Sequence, residues 1–239
     1  MTFLSTPQDP TSNLRSLRLF AGLVPRELRK VARFLDTRHY RPGEFIFDMD
    51  ERVDRLYFLE SGIVKVTILS PDGRERILYV VNAGNTFGET FLSGGRHRTA
   101  AAQSLTAAAV RSITLQAFSN LMRTLPNLSL NLVRNLTDLQ RRTLARLDAQ
   151  IQMDRGLRLI AVLLDLAERC GRQTGDTYVL PGELTQGDLA RMVGLNRSTV
   201  SMLLNYYRRN GILGGQGGMI VIYACPARAA LRRAGLLLS

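Results

Sequence analysis

The chain has 239 residues, 45% of them hydrophobic, and a formal net charge of +12. That is enough to bury a core in one large domain or two ordinary ones, and too apolar for a disordered chain. The charge points to an anionic partner, either a nucleic acid or a membrane surface, with an unspecialised basic surface as the alternative. No apolar run approaches the roughly 20 residues of a membrane span. The first residues lack the basic start and apolar stretch of a signal peptide. With only Cys170 and Cys225, there is no disulfide framework and no cysteine cluster for zinc or iron–sulfur. The expected location is cytoplasmic.

In chain order, residues 1–13 are rich in Pro, Ser, Thr and Asp and read as a flexible tail. "LRSLRLFAGLVPRELRKVARFLDTRHY" carries helical spacing with a fresh start at Pro25, which leaves His39 outside the strands. From Arg41 the texture changes. The short runs "EFIF", "DRLYFLES", "GIVKVTIL", "ERILYVV" and "AVRSITL" are separated by Pro42-Gly43, Ser61-Gly62, Pro71-Asp72-Gly73 and Ala83-Gly84. Short strands at this spacing predict an antiparallel sandwich or barrel.

Beyond Gln116 the strand texture ends. A helix is expected from about Asn127, after Pro126, to about Gly156, with Leu132, Leu136 and Leu139 on one face. Leu144, Leu147 and Ile151 resume an apolar stripe further along. About 25 helical residues span roughly 37 Å, too long to hide in a small domain, and such a seam usually pairs with its copy. A hinge at Asp154–Gly156 precedes a second helix to about Cys170, and "GRQTGDTYVLPGE" reads as a loop or a short strand pair.

"LTQGDLARMVGLNRSTVSMLLNYYRRNGIL" is the most specific signal. Thr185 can cap a helix at Gln186 whose apolar face is Leu189, Met192 and Val193. Gly194 supplies the tight turn of a helix-turn-helix. A second helix opens at Asn196 or Arg197, with Val200, Leu203 and Leu204 inward and Ala190 small at the crossing. "GILGGQGGMIVIY" adds two strand-like runs with a glycine tip, a β-wing. Asn196, Arg197, Ser198, Ser201 and Asn205 face outward, where polar groups can reach base edges in a major groove. Thr199, Arg191, Arg208 and Arg209 are placed for phosphates.

"FGETFLSGGRHRTAAA" combines a lone acid, free glycines and a basic cluster, the ingredients of a phosphate cradle. Taken together, "RPGEFIFDMDERVDRLYFLESGIVKVTILSPDGRERILYVVNAGNTFGE", this loop and "LTQGDLARMVGLNRSTVSMLL" resemble the cyclic-AMP receptor protein/FNR superfamily of bacterial transcription regulators over nearly the whole chain. The resemblance implies an α+β fold. It comprises an N-terminal antiparallel β-roll, a cyclic-nucleotide-binding-like barrel, over 14–126, a long dimerisation helix over 127–153 and a C-terminal winged helix-turn-helix over 154–239. It implies a homodimer on near-palindromic double-stranded DNA with a recognition helix at about 196–208, RNA polymerase as a further partner, and no membrane role. In members that bind cyclic AMP, the Gly-Glu pair meets the ribose and an Arg-Ser or Arg-Thr pair holds the phosphate. Gly88, Glu89, Arg98 and Thr99 stand at those places, and Thr143 on the long helix stands where such members read adenine.

Three departures qualify the ligand. The gap between Gly88-Glu89 and Arg98-Thr99 is one residue shorter than in the enterobacterial receptor. Leu144 replaces the second polar residue of the adenine pair. The recognition helix carries Arg197, Ser198 and Met202 where cyclic-AMP receptors read Arg-Glu-x-x-x-Arg, removing an acid and an Arg that contact cytosine and guanine. The expectation is either gating by cyclic AMP or another cyclic nucleotide, or a regulator that needs no effector, toward which Leu144 and the altered helix lean. A haem gas sensor or another small-molecule sensor on the same fold is the alternative, with His39 and His97 the only histidines. A cupin-like enzyme would need several converging His and carboxylate ligands. The chain has two histidines and no nucleophile–base pair, so it does not read as an enzyme or a metal site.

Overall fold

The computed structural model describes residues 13–71, 73–89, 95–152 and 154–234. The chain forms two compact units, Met1–Val64 with Val81–Gln140, and Lys65–Val80 with Arg141–Ser239. The residues expected as a tail, apart from Asn13, lie outside the described residues, as do Thr90 to Gly94 of the glycine-rich loop.

In the first unit, two short 3-10 turns at Asn13–Ser16 and Arg18–Phe20 precede α1 (Pro25–Ala32), which starts on the expected proline. Next come β1 (Asp36–Tyr40), β2 (Phe45–Phe47), β3 (Arg55–Ser61), β4 (Ile63–Leu69), β5 (Glu75–Asn82), β6 (Thr86–Phe87), β7 (Ala101–Ser104) and β8 (Ala108–Thr114), of which Lys65–Val80, most of β4 and β5, belongs to the second unit. One four-stranded sheet has the order β1-β8-β3-β6 and another β2-β7-β4-β5. The register sets Tyr40 opposite Ala108 and Leu56 opposite Ile113, both antiparallel. This is the expected roll of short strands.

The reading of Asp36–Tyr40 as helical is corrected: these residues are β1, and His39 is in a strand. Only Tyr40 of the five is buried. An edge strand with both faces wet lacks the period-2 signal by which strands are read, and its pairing to β8 decides its conformation.

The core of this unit gathers the chain's early leucines with Phe20, Phe58 and Phe118. The Phe20 and Phe58 ring centroids lie 5.0 Å apart, a separation favourable for aromatic pairs. After β8, Thr114 caps α2 (Leu115–Thr124) by accepting from the Ala117 amide. The long helix is α3 (Pro126–Gln152), close to its expected start and end. Leu132 is buried in the first unit's core and Leu136 packs against it. The face expected as an interhelical seam is therefore partly a core face. Among the described residues, the large apolar side chains α3 exposes are Leu130, Val133 and Leu144. The side chains of Leu147 and Ile151 lie outside the described residues.

In the second unit, Asp154 caps α4 (Arg155–Cys170) by accepting from the Leu157 amide at 2.8 Å. "GRQTGDTYVLPGE" is the strand-pair alternative, with β9 (Arg172–Thr174) and β10 (Thr177–Val179) antiparallel. Then follow α5 (Gln186–Val193), α6 (Arg197–Arg209), β11 (Leu213–Gln216), β12 (Met219–Tyr223) and α7 (Ala224–Arg233). The sheet order is β11-β12-β10-β9. The wing is thus extended by a strand pair from before the helix-turn-helix. No period of large apolar residues in the sequence marks α7. Its first turn contains Pro226, tolerated there because that amide has no intrahelical partner, and Asp176 accepts from the Cys225 amide at 2.7 Å.

Candidate nucleic-acid interface and ligand cassette

The helix-turn-helix is built as its residues dictate. The Thr185 hydroxyl accepts from the Asp188 amide at 3.1 Å, while the Asp188 carboxylate accepts from the Thr185 amide at 3.1 Å. This reciprocal capping box satisfies two donors that a helix start leaves open. Gly194 then takes φ 69°, ψ 35°, a left-handed conformation that costs a side-chain-bearing residue about 1–2 kcal/mol. Asn196 caps α6 by accepting from the Thr199 amide at 2.7 Å. Leu189, Val193, Val200 and Leu204 are buried between the helices, and Ala190 is buried at the crossing.

The outer face of α6 carries the predicted residues. Asn196, Arg197, Ser198, Asn205 and Arg209 are exposed, and Thr199, Ser201 and Arg208 are half-buried. Their chemistry is sorted by local bonds. The Asn196 side-chain oxygen is committed to the cap and to the Ser198 hydroxyl at 2.9 Å. Asn205 accepts from Arg208 at 3.0 Å. The face also exposes Met202 and Tyr206, apolar surface that the polar reading passed over.

Arg191 has a different environment. Its Nη2 donates to Asp188 Oδ1 at 2.9 Å, and its Nε lies 3.5 Å from Glu75 Oε2. Lys65, at 6% exposure, has Nζ 3.5 Å from both Glu75 Oε1 and Asp188 Oδ1. Two cations and two carboxylates thus form one group joining the β4–β5 hairpin to α5. Burial pushes the Asp188 carboxyl up, but hydrogen bonds from Thr185 and Arg191 and the Lys65 charge outweigh it and hold it below the usual carboxylate range. The signal in sequence was a lysine inside an apolar strand, "IVKVTIL", which charge burial requires to be paired.

In the cassette, Arg98 is 2% exposed. Its Nη1 donates to the Gly88 carbonyl at 3.1 Å and its Nη2 to the Arg55 carbonyl at 2.8 Å. The guanidinium lies 4.0 Å from the Phe47 ring centroid and 5.2 Å from that of Tyr57. Neither aromatic was singled out from sequence, since only the fold brings β2 and β3 to Arg98. Gly88 is required at this close approach: a Cβ there would come within 2.8 Å of Arg98 Nη1 and 3.0 Å of Tyr57. Among the described residues, two of the guanidinium's five N–H donors are used on carbonyls.

Glu89 is the second cassette feature. Among the described residues its buried Oε2 has no hydrogen-bond partner, and no ion pair joins it to Arg98. Burial raises the carboxyl above its ordinary value, against smaller opposing effects of its own backbone amide and the Arg98 charge. An unpaired buried carboxylate oxygen is an acceptor suited to a hydroxyl donor. Thr99 is exposed beside Arg98. Thr143 is an exposed position of α3 within the second unit.

A barrel of short strands with a Gly-Glu and Arg-Thr cassette, a long helix and a winged helix-turn-helix together define a class of DNA-binding transcription regulator. Residues 37–125 match the family model of the cyclic nucleotide-binding domain, and residues 157–234 that of the Crp-like helix-turn-helix domain. A CRP-like cAMP-activated global transcriptional regulator of Mycobacterium tuberculosis is 31% identical over 204 residues, covering 85% of this chain and 91% of the relative. A CRP-family transcriptional regulator from Thermus thermophilus has a similar structure, with TM-score 0.68 and 26% identity over 83% of this chain and 96% of its own. FixK2 from Bradyrhizobium japonicum shares the fold at TM-score 0.72 and 22% identity, over 82% and 96% of the two chains. The chain belongs to the CRP/FNR superfamily of bacterial transcription regulators, and the Mycobacterium and Thermus relatives are transcriptional regulators.

Proposed function

We propose that the protein is a homodimer that reads a near-palindromic DNA site through α6, with Arg197 making the principal base contact and RNA polymerase as a further partner. The observation that carries this is the N-terminal outer face of α6. It is exposed and polar, and it follows a turn fixed by Gly194. Arg197 is exposed and has no intramolecular hydrogen bond among the described residues. Its fork can donate to guanine O6 and N7 together. Arg208, Arg209 and Thr199 are placed for phosphates, which fix register without reading sequence. Leu130 and Val133 on α3, 49% and 58% exposed, supply apolar surface for a second copy.

The test is binding of a selected duplex by fluorescence anisotropy. Arg197→Ala should weaken binding by about 1–3 kcal/mol and relax preference at one base pair per half-site. Unchanged affinity and preference would remove Arg197 from the reading.

A second reading concerns the cassette. We infer that it takes a cyclic nucleotide, with a sugar hydroxyl donating to Glu89 and Arg98 and Thr99 meeting the phosphate. Glu89 Oε2, buried and without a partner among the described residues, favours this over the effector-free alternative, because a buried acceptor calls for a donor. Cyclic AMP at millimolar concentration should raise the melting temperature of the wild type and not that of Glu89→Ala. A wild-type melting curve indifferent to the nucleotide would leave the DNA reading in place and discard this one.

A further inference from the structure

The β4–β5 hairpin is early in sequence, yet Lys65–Val80 belongs to the same compact unit as the helix-turn-helix. Its contact with α5 is ionic and buried. β4 is buried without a break from Ile63 through Thr67, so Lys65 cannot turn to water on the other face of its strand. A buried ammonium is tolerated only when paired. Glu75, on the same hairpin, supplies one carboxylate. Asp188, on α5 and 4% exposed, supplies the other.

Each oxygen of Asp188 has its own task. Oδ2 accepts the Thr185 amide and hydroxyl, closing the helix cap, at 3.1 and 2.6 Å. Oδ1 lies between Arg191 Nη2 at 2.9 Å and Lys65 Nζ at 3.5 Å. The residue that closes the cap of α5 is thus also the one that fixes α5 to the hairpin. Arg191 closes the ring through Glu75. Its Nε is buried beside Glu75, with no hydrogen bond among the described residues.

We propose that Lys65 and Glu75 are positioning residues for DNA reading: the hairpin fixes α5, and through the Gly194 turn the orientation of α6, by way of Asp188 and Arg191. This rests on the DNA-reading function. It gives Arg191 a role other than the phosphate contact its position suggests. The group is neutral as a whole, so its loss loosens α5 without altering the phosphate-contacting charge of α6.

The experiment uses the full-length protein and the duplex selected for it, with Glu75→Gln, Arg191→Gln and the double variant. Glu75→Gln is nearly isosteric and its side chain is partly exposed, so it should fold. Each single variant should weaken specific binding roughly tenfold, and the double variant no further, because either change opens the same ring. The slope of log affinity against log salt should stay as in wild type for Arg191→Gln. A lost phosphate contact would instead reduce it by about 0.9. A reduced slope with additive losses would overturn the proposal and return Arg191 to the phosphates. Full affinity in Glu75→Gln would overturn it as well. Hydrogen exchange in the absence of DNA gives an independent reading: the Leu189–Val193 amides should exchange faster in Glu75→Gln, and unchanged protection would also overturn it. Failure of the wild type to retain any duplex would count against DNA reading itself and leave the exchange result to decide the hairpin's role.

Discussion

Asp188 and Glu89 are buried carboxyls with opposite fates. Asp188 is held below its ordinary value of 3.8, so its stabilising contribution is complete above pH 3.8 and is lost as pH falls through its lower folded value. Removing one member of a buried ionic group costs about 3 kcal/mol. Asp188→Asn should therefore lower stability by that order near neutral pH, and the gap to wild type should narrow as pH drops below 3.8, measured by urea unfolding. A gap independent of pH would mean the ionic ring contributes nothing. Glu89 is raised above its ordinary 4.5. Its burial withdraws stability as pH rises from 4.5 through that raised value, a cost that a hydroxyl donor from a ligand would relieve. Gly88→Ala adds a Cβ against Arg98 and Tyr57 at a positive φ of 77°. It should destabilise the first unit by about 1–3 kcal/mol and abolish any nucleotide-induced thermal shift. A variant that still shifts with nucleotide would separate the cassette from the ligand.

At the scale of elements, the helix-turn-helix is the part whose local chemistry and tertiary structure agree most closely. Thr185, Gly194 and Asn196 each satisfy a constraint that few other residues could, and their positions predict α5, the turn and the start of α6. Gly194→Ala should cost about 1–2 kcal/mol through the left-handed backbone alone, seen as a lower melting temperature with the DNA preference retained. An altered base preference would show that the turn also steers α6. Met202, 63% exposed in the middle of the outer face of α6, offers a thioether and methyl where an acceptor or guanidinium would be needed for guanine or cytosine. Such a surface suits a thymine methyl. Elements set by distant partners were not legible. β1 lacks a buried face, β7 is an alanine-rich run, α7 is short and carries a proline, and Lys65 shows its need for a partner without revealing that Asp188 supplies it.

For the whole molecule, the order of barrel, long helix and winged helix-turn-helix could be read from turn residues and apolar periods, because each element carries its own signal. The composition of the two units could not, since joining Lys65–Val80 to the C-terminal body is a tertiary fact. The role of α3 was only half legible. Its leucine period marks an apolar face, yet Leu132 and Leu136 spend that face on the first unit's own core. Val133→Glu, on the exposed side, should convert a dimer to a monomer in sedimentation velocity and reduce DNA affinity with it. A dimer that persists would place the interface elsewhere.

The central claim is that two copies of α6 read one symmetric DNA site. Selection of binding sites from random duplexes by the full-length protein, with and without cyclic AMP, tests it most directly. The expected result is an enriched two-fold-symmetric site with half-sites about 10 base pairs apart, more strongly enriched when the nucleotide is present. Enrichment of an asymmetric single site, or of no sequence at all under either condition, would contradict it.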